Sequence, residues 1–106
     1  MPLQDEIADL LRLPEYGTGA PSLDAIESTL TNGYAAALEL EAERLRLERR
    51  LGQVARDADE VSPHGVATEL TQLSRRIETT DGELTRLRSL LQRLQVRRRL
   101  ARGSRR

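Results

Sequence analysis

The chain has 106 residues, enough for one small domain, and contains no Cys, Phe or Trp. That excludes disulfides, thiol nucleophiles and Cys-ligated zinc, and with His64 as the sole histidine a His-pair metal site within one chain is excluded too. Seventeen arginines balance seventeen acids, but unevenly: residues 1–43 hold nine acids and one Arg, whereas 84–106 hold nine Arg and no acid.

The first six residues, Met1 to Glu6, are acidic and lack a long apolar run, which argues against a secretory leader. No stretch approaches the roughly 20 apolar residues of a membrane span. A cytoplasmic location is the expectation. Residues 3–13 predict a short amphipathic helix, because Leu3, Ile7, Leu10 and Leu11 recur at i, i+4, i+7 and i+8 on one face. Pro14 ends it, and Pro14, Gly17, Gly19 and Pro21 mark a linker, so residues 1–21 form one segment.

A helical hairpin is predicted over 22–100. Ser22 is placed to cap the first long helix, with Asp24 in the first turn where the helix dipole favours an acid. A 3-4 apolar spacing then runs through Leu23, Ile26, Leu30, Gly33, Ala37, Leu40, Arg44, Leu47, Leu51, Val54 and Ala58. The reversal falls near 59–65, where Ser62-Pro63 reads as an N-cap followed by the first residue of a new helix. The second seam is Val66, Leu70, Leu73, Ile77, Thr80, Leu84, Leu87, Leu91, Leu94 and Arg98. Heptad spacing held this long in both halves predicts an all-α, antiparallel two-helix coiled-coil hairpin, each arm about 35 residues or about 50 Å.

The two seams fit each other when paired residues sum to 124. Val54 then faces Leu70, Leu51 faces Leu73, Leu47 faces Ile77, and Leu30 faces Leu94. Small meets large at Gly33 with Leu91 and Ala37 with Leu87, and the polar Arg44 lies opposite the polar Thr80. The midpoint of this register is Ser62, where the turn signals sit independently. Gly33, after Asn32, and Gly82, within Thr80-Asp81-Gly82-Glu83, are expected as tolerated helix glycines because the heptad phase survives both.

A lone two-helix pair is thin, so further covering is expected. Tyr34, Leu38, Ala42 and Leu45 form a second apolar stripe on the first arm, and Leu90 lies off the seam of the second. Either the N-terminal helix covers such a stripe or a second copy of the chain does, as a four-helix homodimer. Leu3, Ile7, Leu10 and Leu11 are candidate docking anchors for a partner protein.

No sequence motif carries catalysis. There is no phosphate-binding loop, dinucleotide fingerprint, zinc-protease motif or nucleophile elbow, and acids on coiled-coil helices sit on solvated faces. A non-enzymatic interaction and scaffold module without cofactor or metal is the expectation. The alternative is a regulator of nucleic acid or of the transcription machinery. Its candidate contacts are Arg97, Arg98, Arg99, Arg102, Arg105 and Arg106, the last three in a basic tail over 101–106, preceded by Arg93. No aromatic is interleaved with them, so base stacking is not expected.

Asp57, Asp59 and Glu60 give the turn an acidic tip. Such a tip on a coiled-coil hairpin resembles the transcript-cleavage and secondary-channel regulators of bacterial RNA polymerase, which insert it near the catalytic metal. The resemblance covers the tip and hairpin alone. This sequence carries neither the globular second domain nor the zinc cysteines of those families, and Pro63-His64-Gly65 departs from their tip pattern. The Trp-x-Gly turn of small secreted helical hairpins of the WXG type is absent as well.

Overall fold

A computed structural model describes residues 2–58 and 63–103, with the side chains of Pro63 and His64 left aside. The fold is all-α: α1 (Pro2–Arg12), α2 (Leu23–Arg56) and α3 (Pro63–Gly103), with α2 and α3 packed as an antiparallel pair. Residues 59–62, which hold Asp59, Glu60 and Ser62, lie outside the described residues, as do 104–106 with Arg105 and Arg106.

The helix ends follow local chemistry. At the start of α2, the Ala25 amide donates to Ser22 Oγ at 3.1 Å and the Ile26 amide to the Ser22 carbonyl at 3.1 Å, so Ser22 is the N-cap. α3 begins at Pro63, where a proline costs no hydrogen bond. Between α1 and α2 the chain turns through Gly17 and Gly19, both at positive φ (75° and 89°), a conformation open to glycine at no steric cost. Neither Gly33 nor Gly82 breaks its helix.

The chain divides into two compact units, each drawing on both long helices: Met1–Leu38 with Thr85–Arg106, and Glu39–Leu84. In the second unit Leu47, Val54, Val66 and Leu73 form a buried cluster, flanked by half-buried Leu51, Ala58, Leu70 and Ile77. These are the seam residues of the predicted register. Arg44, also a seam residue, leaves buried Thr80 unpaired with its charge and reaches Asp81 at 2.6 Å. Arg50 binds Glu69 at 2.7 Å, and Glu43 receives Arg46 from its own helix and Arg76 from α3. Such exposed pairs contribute little stability, but they disfavour other registers.

In the first unit the most completely buried side chains are Ile7, Ile26, Leu87 and Leu94, with Leu30 and Leu91 close behind; Leu84 of the second unit is buried as fully. Gly33 faces Leu91 so closely that an added Cβ would collide with the leucine side chain. The glycine is therefore a packing requirement rather than a merely tolerated residue. The Tyr34 hydroxyl accepts a hydrogen bond from Gln95 Nε2, and Arg102 binds Glu27 at 3.1 Å.

Gly82→Ala, with nothing within 4 Å of the new Cβ, should stabilise the protein by up to about 1 kcal/mol through helix propensity. Gly33→Ala must displace buried Leu91 and should fall below Gly82→Ala by about 1–3 kcal/mol in chemical denaturation. The hydrogen bond from Arg46, together with the charges of Arg46 and Arg76, holds the Glu43 carboxyl below its usual range against the opposing effect of burial. A depressed carboxyl stabilises the fold above its unfolded pKa, and that contribution is lost as pH falls through the folded value. Thermal melts across the acid range should therefore be shallower in pH for Glu43→Gln than for wild type.

Candidate functional site

In the first unit, α1 is held by the buried side chains of Gln4 and Ile7 and by one cap. Ile7 is 0% exposed, and Leu3, Leu10 and Leu11 around it are half-buried. Leu90 lies off the α2–α3 seam yet is buried, and Arg97, seven residues on and on the same face of α3, reaches the end of α1. The Arg97 guanidinium donates to the carbonyls of Leu11 at 2.6 Å, Leu13 at 2.5 Å and Pro14 at 3.1 Å. The Leu11 carbonyl is one that a helix end leaves without an intrahelical partner, those of Leu13 and Pro14 belong to the chain just beyond it, and a cation there also meets the negative end of the helix dipole.

This placement changes what several predicted residues are free to do. Ile7 and Leu90 are interior, spent on packing within the chain, because α1 folds back onto its own unit. Arg97 serves as a cap, so its guanidinium is committed to carbonyl oxygens, and Arg102 is committed to Glu27. Arg98 is half-buried, with its Nε enclosed and unpartnered among the described residues. Arg99 is exposed. α3 remains helical to Gly103, past the point where the basic tail was expected to begin.

The second stripe of α2 stays open. Tyr34 is 44% and Leu38 66% exposed in the first unit, and Leu45 is 47% exposed in the second. Two shallow grooves flank α1. One, about 430 Å³, lies against α2 and has Leu10, Leu13 and Ala25 as apolar lining with Glu6 and Asp9 beside them. The other, about 260 Å³, lies against α3 and is lined by Leu11, Val96 and Leu100 with Arg93 and Arg97. A third, about 330 Å³, runs along α3 in the second unit past Ala67, Thr71 and Arg75. All three are open surface troughs.

Among the described residues no group of His, Cys, Asp or Glu is arranged to hold a metal ion, and no helix is long and apolar enough to cross a membrane. No protein-family model, curated protein or solved structure matches this chain significantly. The contact that sequence pattern missed is Arg97 with α1. Its partners lie 83 to 86 residues away, and helical periodicity reports which face a residue occupies, not what a distant segment brings to it.

If Arg97 fixes α1, then Arg97→Gln should speed hydrogen exchange of the α1 amides by about tenfold, the worth of a charged hydrogen bond. Exchange at the centre of the α2–α3 pair should stay unchanged.

Proposed function

We propose that this chain is a non-enzymatic coiled-coil interaction module that self-associates as a homodimer and docks a partner protein through its outer helical faces. One observation carries it: large apolar side chains remain uncovered on α2 although the seam beneath is closed, Leu38 foremost at 66% exposure. Tyr34 and Leu38 in the first unit, and Ala42 and Leu45 in the second, stand four and three residues apart on α2, so within each unit a second helix laid along the pair would bury both. Leu3, Leu10 and Leu11 of α1, half-buried against their own unit, remain secondary contacts for a partner. Absence of catalytic motifs supports the same reading, and the lack of cysteine, which leaves the fold with no need of an oxidising compartment, is compatible with the cytoplasmic location we propose.

Nucleic-acid binding is the second reading, favoured by exposed Arg86, Arg93 and Arg99, for which no ion pair is seen among the described residues. It is the weaker one, since Arg97 and Arg102 are already engaged within the chain.

Sedimentation velocity at high micromolar concentration and high salt, where exposed charges are screened, tests the main proposal. Wild type should run as a dimer and Leu38→Asp as a monomer, because burying a leucine is worth about 1.5–3 kcal/mol and a buried, unpaired carboxylate opposes association further. A monomeric wild type, or a dimer indifferent to Leu38→Asp, would remove the α2 face from consideration.

A further inference from the structure

The two grooves beside α1 differ in charge, Glu6 and Asp9 on the α2 side against Arg93, Arg97 and a single carboxylate, Glu15, on the α3 side, and both belong to the unit formed by Met1–Leu38 and Thr85–Arg106. On the α2 side, Glu6 and Asp9 border the apolar surface of Leu10, Leu13 and Ala25. On the α3 side, Arg93, Val96 and Leu100 follow one another at i, i+3 and i+7, a single stripe along the helix. Each is incomplete as it stands. Leu13 is 39% and Val96 48% exposed. Asp9 is held by Arg12 at 2.9 Å, but Glu6 and Arg93 form no ion pair among the described residues. The two surfaces cannot meet within one chain, because α1 stands between them.

We infer that the acidic trough between α1 and α2 of one copy seats the Arg93, Val96 and Leu100 stripe of a second copy. Charge selects that occupant. Residues 1–38 carry six carboxylates and one Arg, whereas 85–106 carry nine Arg and no acid. The occupant the trough fits, apolar side chains flanked by arginine, is the one this same chain displays. In the complex Val96 and Leu100 lie on Leu10, Leu13 and Ala25, and Arg93 reaches Glu6. Trough and stripe are different patches, so a copy seated at one still offers the other. Such a contact is heterologous, and assembly continues past two copies or closes as a ring. It builds on the self-association proposed for α2 but uses a separate surface, and it is electrostatic where the α2 contact is apolar.

The test uses the full chain in sedimentation velocity at low salt and again at several-fold higher salt, where exposed charges are screened. Wild type should form species larger than a dimer at low salt and return to the dimer at high salt. Glu6→Arg and Arg93→Glu each juxtapose like charges and should each abolish the larger species. An equimolar mixture of the two should restore them, since each variant then supplies the charge the other lacks. Both positions are exposed helix sites; circular dichroism checks the fold, and Glu6→Gln gives a milder loss if reversal perturbs α1. Larger species that ignore both reversals, a mixture that fails to recover, or a wild type that never exceeds a dimer would each overturn the inference. Leu38→Asp separates the two proposals. If it leaves salt-sensitive assembly intact, this contact stands alone; if it removes all assembly, the α2 contact is the one that exists and this one is not.

Discussion

Neither Phe nor Trp is present, and both tyrosines are exposed, so the apolar part of the interior is built from Leu, Ile, Val and Ala. Aliphatic side chains of this size reach a short way from a helix axis, and they bury well where two helices approach closely along their length. That limit dictates the α2–α3 seam. Every seam position must be met by a complement across the pair, and where one side chain is large the other must yield. Gly33 against Leu91 is the tightest instance, a place where one helix gives up its side chain so the other can keep a leucine.

Polar residues within such a seam sort themselves by reach. Arg44 occupies a seam position, and its long stem carries the guanidinium out to Asp81, while Thr80 stays buried. Arg97 does the same on another face, where its charge finds backbone carbonyls instead of a carboxylate. In both cases a long aliphatic stem carries the charged tip from the packed face out to its polar partner. An arginine-only basic complement therefore shapes the packing as well as the net charge.

Residue pattern discloses the parts of this fold that depend on repetition. The heptad spacing, the pairing sum that sets Gly33 on Leu91, the Ser22 cap and the start of α3 at Pro63 all reflect rules that act over a few residues or recur along a helix. The open stripe at Tyr34, Leu38 and Leu45 was legible for the same reason: it lies outside the seam on the helical wheel. What could not be read was the position of α1. Its apolar face at Leu3, Ile7, Leu10 and Leu11 suits any apolar surface, so the pattern alone left its partner open. A run of arginines ending a chain likewise has the same appearance in sequence whether each one is solvated, capping a helix or paired, and Arg97, Arg98, Arg99 and Arg102 differ in this respect.

The placement of α1 also constrains how the protein can bind. A helix of 11 residues is too short to be stable by itself, so α1 keeps its form through Ile7 and the Arg97 cap. Any partner that sought the surface of α3 beneath α1 would have to replace the buried isoleucine and the hydrogen bonds to Leu11, Leu13 and Pro14, and its net affinity would be what remained after that exchange. Surfaces that require no such displacement start with an advantage. The outer side of α2 and the flanks of α1 are of that kind, already formed and already bordered by apolar side chains. Binding there adds contacts without first undoing any, whereas recruiting Arg97 or Arg102 would first cost the hydrogen bonds that each already makes within the chain.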